Sequence, residues 1–456
     1  MVLSLLLLLH LSCSELIYEH AAIFGNTEDL GYYYVDIWVG TPPMKQTVII
    51  DTGSRLTAFP CIGCTDCGHH MDKYFDFNNS STSRIIKCNE GIKCSECTND
   101  TCEYSQRYAE GSSISGILIE DYLLFGDDFS HAHRVLGIFG CHYQETHLFR
   151  TQKADGIIGL GYSNTIPTIV DLLYKDHDID TNLFSICFAA KDGFMTIGGY
   201  NMSVHEEELR WTKVYDHNFY AVKGKGLIIG GNDTGVTESD FTKFYATGTI
   251  IDSGTSFTYM STNVYMSLFE NIEKYCNLPG KCLGEHVDVY GETHTCYNYN
   301  SKNFTSIQEF FDSFPVVSIL MDEVYIDWMP ERYLYAWPES KNHFCVGVYS
   351  NGGAGNVLGG NFMRGMDVVF DRGEDRVGFA KSLCDSSFIM NNKTKPTHNE
   401  TEEKEEKVKE INKNWKAIIL GGLLSVVAVG GLIVMICLRC KKRNDGILKF
   451  IQNSEI

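Results

Sequence analysis

Basic residues are scarce in this sequence. Across 456 residues there are 38 Lys and Arg against 58 Asp and Glu, a formal charge of −20. A surface of that sign repels nucleic acid and leaves basic or neutral partners. Proline is scarce too, with 9 residues against 42 glycines, so glycine must make most of the tight turns and bends. Helical periodicity is confined to 168–175, 264–275 and 306–314, which leaves a mostly β chain. Lys and Arg are absent from the first 14 residues. Charge is absent from one long stretch, 417–438, which reads AIILGGLLSVVAVGGLIVMICL.

What is present sets the class. Hydrophobic residues make up 44% and aromatic residues 12%, which excludes a disordered chain. The 417–438 run is long enough to cross a hydrocarbon core of about 30 Å. Arg439, Lys441, Lys442 and Arg443 follow it. Basic residues stay cytoplasmic, so the expected topology is type I, with the N-terminal side in a lumen or outside the cell. Residues 1–14 (MVLSLLLLLHLSCS) carry a short apolar run and small residues before Glu15, the pattern of a cleaved signal peptide. Of 17 cysteines, Cys13 falls in that leader and Cys437 and Cys440 beside the apolar run, leaving fourteen from Cys61 to Cys384. An even number in an oxidising lumen fits seven disulfides, with the pairing left open. The spacing Cys61-x2-Cys64-x2-Cys67 before His69 and His70 would suit zinc, and that compartment favours disulfides instead. Eight Asn-x-Ser/Thr sites are compatible with a lumenal face.

The domain plan follows. A signal peptide (1–14) and a short segment (15–30) precede two lobes, 31–200 and 201–384. A charged stalk (385–416), a transmembrane helix (417–438) and a cytosolic tail (439–456) follow. Residues 61–102 form a Cys-rich insert in the first lobe. The segment 15–30 is short and acidic, so it is expected not to act as a basic inhibitory propeptide. Strands are expected at 32–40, 46–51, 115–126, 193–200, 220–231 and 247–252, each a short apolar or alternating run punctuated by glycine.

One internal echo carries the chemistry. TVIIDTGS (47–54) returns as GTIIDSGTS (248–256), placing Asp51 and Asp252 201 residues apart, about one lobe. Peptide hydrolysis without a metal or a nucleophilic side chain needs a base to activate water and an acid to polarise the carbonyl. Two carboxylates about 3 Å apart cannot both ionise and share one proton, so one serves as base and the other as acid. Gly53 and Gly254 would let the two loops approach. Thr52 and Ser253 would bond across to the opposite loop, and Ser54 and Thr255 would hold the outer carboxylate oxygens. No metal and no organic cofactor is required.

These motifs resemble the pepsin-like aspartic proteases over about 32–381. WVGTP (38–42), ADGIIGLG (154–161), NVLGGN (356–361) and FDRGEDRVGFA (370–380) agree with that family. The resemblance implies a bilobal, mostly β fold with a cleft between lobes, and Tyr108 in RYAEGSSISGIL as a flap residue folding over substrate. Many members carry Trp seven residues after the first Asp as partner of the flap tyrosine; here that position is Ala58, so Tyr108 needs another partner. FPCIGCTDCGHHMDKYFDF (59–77), the cysteines that follow, and FGCHYQETHLF (139–149) resemble the membrane-anchored plasmepsin V subgroup and, in outline, nepenthesin-like plant enzymes. That subgroup cleaves after Leu in an Arg-x-Leu motif. By resemblance, Glu110 receives the substrate arginine and Gln152 assists it. An Arg–carboxylate fork would reject Lys.

The implied protein is an endoplasmic-reticulum membrane protease whose partners are protein or peptide substrates with an Arg recognition residue. The tail carries no retention address, so the organelle rests on resemblance, and the oligomeric state is unreadable. Two other readings compete: a secretase-like sheddase at the Golgi or cell surface with broader hydrophobic specificity, and a non-catalytic receptor on the same fold. His142 and His147 are expected to face solvent or satisfy loops.

Overall fold

The computed structural model describes residues 19–126, 133–241, 248–288, 295–300, 302–338 and 340–385. Among them no helix is long and apolar enough to cross a membrane. The signal peptide 1–14, the stalk from 386 on, the apolar span 417–438 and the tail 439–456 lie outside the described residues.

Alternation builds the first sheet. In the strand Tyr32–Val39, burial alternates residue by residue, with Tyr33, Val35, Ile37 and Val39 inside, the period-2 signature of a half-buried strand. It pairs antiparallel with Met44–Asp51. That strand ends in six consecutive buried residues, because it is covered on both faces. Each fully buried Val or Ile there contributes about 1.5–3 kcal/mol. Gly156–Gly159 runs parallel to it, in register Ile158↔Ile50 and Gly159↔Asp51.

The second half of the chain repeats the device. Gly248–Ile251 lies antiparallel to Ala221–Ile229 and parallel to Asn356–Leu358, in register Ile251↔Leu358. Behind Asp51, Leu160 N–H donates to the Asp51 carbonyl at 2.8 Å; in the second half, Asp252 N–H donates to the Leu358 carbonyl at 3.0 Å. The ADGIIGLG and NVLGGN segments thus pass directly behind the two aspartates.

A run of six strands draws on both halves. Its order is Arg210–Lys213, Arg376–Lys381, Met366–Asp371, Leu183–Phe188, Gly193–Ile197 and Glu19–Asn26. Within the segment 15–30, Glu19–Asn26 is therefore a paired strand, bonded to Gly193–Ile197 and to Tyr32–Val39. The mostly β, bilobal architecture follows from these pairings.

The three longest helices among the described residues occur where periodicity placed them. Ile169–Lys175 opens with a capping box between Thr168 and Asp171. Thr262–Cys276 buries Val264, Leu268 and Ile272 at a spacing of four, and Ile307–Asp312 buries Phe310 and Phe311.

All fourteen cysteines from Cys61 to Cys384 are paired: Cys61–Cys141, Cys64–Cys67, Cys88–Cys97, Cys94–Cys102, Cys187–Cys384, Cys276–Cys282 and Cys296–Cys345. Four of the bridges hold the insert and its attachment to the strand Arg134–Glu145.

Candidate active site

Asp51 is the last residue of its strand, and Asp252 follows Ile251 directly. Each therefore emerges from a buried strand into a Gly-containing turn. Gly53 N–H donates to Asp51 Oδ1 at 2.8 Å, and Gly254 N–H donates to Asp252 Oδ1 at 2.9 Å. The two turns face one another. A Cβ on Gly53 would lie 2.8 Å from both Asp252 carboxylate oxygens, and one on Gly254 would lie 2.3 Å from Asp51 Oδ1. Only glycine permits this approach.

A reciprocal bond set fixes the turns. Thr52 N–H donates to Ser253 Oγ at 3.0 Å and Ser253 N–H donates to Thr52 Oγ1 at 2.9 Å. Both hydroxyls then donate onward, Thr52 to the Ile251 carbonyl at 3.1 Å and Ser253 to the Ile50 carbonyl at 2.8 Å. All four groups are buried, so each bond is worth more than at the surface.

The outer oxygens are treated unequally. Thr255 Oγ1 donates to Asp252 Oδ2 at 2.7 Å, as expected. The matching bond from Ser54 to Asp51 is not formed. Ser54 Oγ is buried without a hydrogen-bond partner among the described residues, although it lies close to both Asp51 and Tyr108.

Burial pushes both carboxyls above the ordinary carboxylate range. For Asp51 the neighbouring Asp252 charge adds to the rise, while the bond from the Gly53 amide opposes it. For Asp252, bonds from Thr255 and Gly254 oppose the effect of burial. A pair so placed holds one proton between two acids near neutral pH and presents a base and an acid on one face. Such a pair activates a water and polarises a carbonyl together.

The flap hairpin is Thr101–Arg107 with Ser113–Phe125, in register Arg107↔Ser113. Tyr108 N–H donates to the Ser112 carbonyl at 2.9 Å and Gly111 N–H to the Tyr108 carbonyl at 3.0 Å, closing the tip. The Tyr108 hydroxyl is buried without a partner among the described residues. Burial raises its pKa well above 10, and the Asp51 charge adds to the rise. With Ala58 fully buried in the place of a tryptophan, the tyrosine finds a ring instead of an N–H donor. It packs on Phe149 at 4.9 Å between centroids.

Glu110 is exposed at the tip, and its carboxylate accepts a bond from the Ser112 hydroxyl. The Gln152 side chain turns back, its amide donating to the Ala154 carbonyl at 3.2 Å. The start of ADGIIGLG is held by Tyr32, whose hydroxyl accepts from Lys153 N–H at 2.9 Å and Ala154 N–H at 3.1 Å.

Of the two settings expected for His142, solvent or a loop, the first is excluded. His142 is fully buried, not solvent-facing, because it lies on the strand Arg134–Glu145 under the insert and finds a carboxylate there: its Nδ1 lies 3.1 Å from Glu145 Oε1. Glu145 and Phe149 were not singled out by residue pattern at all. Both lie in FGCHYQETHLF (139–149), the segment already marked by its resemblance. His147 is exposed, as expected.

A cavity of about 270 Å³ is lined by Thr27, Glu28, Phe257, Tyr335, Trp337, Pro338 and Tyr349. Phe257 closes the DSGTSF loop that begins at Asp252, so this aromatic hollow adjoins the Asp252 turn along the chain.

Residues 32–382 match the eukaryotic aspartyl protease family. Aspartic protease 5 of Toxoplasma gondii is 33% identical over 391 residues, covering 81% of this chain and 38% of that protein. Plasmepsin V of Plasmodium falciparum is 27% identical over 492 residues, covering 89% of this chain and 80% of that protein. Aspartyl protease family protein 1 of Arabidopsis thaliana is 29% identical over 386 residues, covering 79% of this chain and 69% of that protein.

Proposed function

The chain belongs to the eukaryotic aspartyl protease family, and from that premise we propose that it is a membrane-anchored endopeptidase that cleaves secretory or exported proteins in a lumen after Leu in an Arg-x-Leu-type motif. Asp51 and Asp252 are the catalytic pair. One takes a proton from the attacking water, the other donates to the scissile carbonyl, and the roles reverse as the tetrahedral intermediate collapses. Thr52, Ser253, Gly53, Gly254 and Thr255 hold the pair in place. Tyr108 covers the substrate, and Ser54 stands between it and Asp51.

The observation that carries the specificity is Glu110. It is an exposed carboxylate at the flap tip, two residues from Tyr108, with its orientation set by Ser112. A guanidinium meets such a group through two parallel bonds, and an ammonium does not. Gln152 lies at the far end of the short helix Leu148–Thr151 that carries Phe149, and its side chain would have to leave Ala154 to assist.

The apolar span 417–438, the basic residues after it and the leader support a type I anchor with the protease domain in the lumen. Localisation to the endoplasmic reticulum rests on the likeness to plasmepsin V, with Golgi or cell surface as the alternative. Among the described sequons, Asn78, Asn79, Asn99, Asn232 and Asn303 are exposed, as glycosylation in that lumen would require.

A second reading, a sheddase of broader hydrophobic specificity, draws on the aromatic hollow around Phe257, Tyr335, Trp337 and Tyr349. Cleavage of a matched peptide pair by the purified full chain separates the two. The proposal requires cleavage after Leu in the Arg-x-Leu peptide and little in the Lys-x-Leu peptide, with that preference lost in Glu110→Gln. Equal cleavage of both peptides by the unaltered chain favours the sheddase.

A further inference from the structure

We propose that His70, Glu145 and His142 form a buried positioning cluster that sets the flap through Phe149 and so couples turnover to the Cys-rich insert. The inference rests on reading Asp51 and Asp252 as the catalytic pair and Tyr108 as the flap residue.

Glu145 closes the strand Arg134–Glu145, and its side chain is completely buried. Its Oε2 accepts Gly68 N–H at 2.9 Å and lies 3.0 Å from His70 Nε2; its Oε1 lies 3.1 Å from His142 Nδ1. His70 Nδ1 in turn lies 3.2 Å from the Gln152 carbonyl oxygen. Both ring nitrogens of His70 therefore face acceptors, and only the imidazolium donates from both. His142 donates from Nδ1 alone, and its Nε2 is buried with no partner among the described residues. The charges agree with this geometry. Burial pushes the Glu145 carboxyl up, but bonds from His142, His70 and Gly68 outweigh it and leave it at about 2. Burial alone would depress His70, and the Glu145 bond and charge outweigh it. Burial keeps His142 neutral. The cluster is one ion pair with a neutral imidazole beside it.

Its contacts reach the flap on one side and the insert on the other. The His142 ring meets the Phe149 ring edge-on, 6.3 Å between centroids at 81°, and Phe149 packs on Tyr108. The Tyr108 hydroxyl has no hydrogen-bond partner among the described residues, so packing that includes this ring contact, rather than a hydrogen bond, holds the side chain. On the other side, the loop closed by Cys64–Cys67 docks directly on the segment that carries Phe149. Glu145 N–H donates to the Asp66 carbonyl at 3.1 Å. A Cβ on Gly68 would lie 2.1 Å from the Arg150 carbonyl oxygen, so Gly68 is the residue that lets the loop seat. A tryptophan N–H would hold a flap tyrosine directly; this chain holds it through a stack of rings braced by a buried charge pair.

A merely stabilising cluster would change how much enzyme is folded, not how each molecule turns over. The test is steady-state cleavage of an Arg-x-Leu peptide by the full chain, with competent sites counted by a tight-binding statine-type peptide inhibitor. The variants are Phe149→Leu, Phe149→Tyr, Glu145→Gln and the Phe149→Leu/Glu145→Gln double. Phe149→Leu and Glu145→Gln should each lower kcat/KM per titrated site about tenfold, because a misplaced covering group costs rate rather than fold. Phe149→Tyr, which keeps the ring, should stay within about twofold, and the double variant should be no slower than its slower parent, since both changes break one path. Per-site kcat/KM of Phe149→Leu within twofold of the unaltered chain would overturn the proposal, whatever its melting temperature. So would a double variant whose losses multiply. Should Glu145→Gln fail to fold, the contrast between Phe149→Leu and Phe149→Tyr decides. Failure of the catalytic reading is distinct: the unaltered chain would then show no titratable sites.

Discussion

Thr52 and Ser253, 201 residues apart, hold each other by two crossed bonds in which each backbone N–H donates to the other's hydroxyl. Neither turn is complete alone. The Ser253 hydroxyl also donates to the Ile50 carbonyl, one residue before Asp51, so the position of one carboxylate is set from the opposite half of the chain.

Removing that hydroxyl should show the dependence. Ser253→Ala leaves the buried Thr52 N–H and Ile50 carbonyl without those partners, a cost of about 1–3 kcal/mol for each unsatisfied group. We expect a lower melting temperature together with a fall in kcat per folded molecule of about tenfold or more, as the carboxylates lose their alignment. Ser253→Thr, which restores a hydroxyl, should recover most of both. A variant that loses stability but keeps kcat would show that the crossed bonds support the fold without aligning the pair.

The paired carboxyls cost stability at neutral pH. Burial raises Asp51 above its unfolded value. Its folded-state contribution is fully present below about pH 4, the ordinary carboxylate range, and is lost as pH rises through the raised value. Asp51→Asn removes that loss while keeping an acceptor for Gly53 N–H. The melting temperature of Asp51→Asn should exceed that of the unaltered chain at pH 7, and the gap should close towards pH 4. A gap of the same size at both pH values would contradict the raised carboxyl.

The His70–Glu145 pair loses its contribution in the same direction but begins to do so at a higher pH. The Glu145 partner raises His70 above its ordinary value, so its contribution is fully present below about pH 6.5 and falls away as pH rises through the raised value. His70→Gln should therefore be most destabilising near pH 6 and progressively less so above pH 7, read by thermal unfolding at a series of pH values. A loss independent of pH from 6 to 8.5 would mean that folding does not shift His70 and that it forms no ion pair with Glu145.

Much of this was legible in the sequence, and the reason is local. A buried strand announces itself by an apolar run, as in Thr47–Asp51, and a dyad loop by the small residues it requires, as in Gly53 and Gly254. The apolar run of Tyr32–Val39 and the spacing of Val264, Leu268 and Ile272 were equally plain. Long-range facts were not. The pairing of Cys61 with Cys141 depends on which strand the insert returns to, and no spacing encodes that. His142 was expected to face solvent or satisfy a loop; its partner Glu145 is three residues away on a strand, a separation that carries no contact signal there. The missing Ser54 bond is equally unreadable, since a hydroxyl's direction is set by packing around Asp51 and Tyr108. Ala58 did announce a lost partner for Tyr108, but only the folded chain supplied Phe149.

The most direct test of the account is peptide hydrolysis by the purified full chain and by its Asp51→Asn and Asp252→Asn forms, measured on an Arg-x-Leu peptide from acid to neutral pH. The account predicts cleavage by the unaltered chain, with turnover abolished in both variants while their circular dichroism and unfolding remain those of a folded protein. Cleavage retained by either folded variant would contradict the assignment of the shared-proton pair as the catalytic machinery.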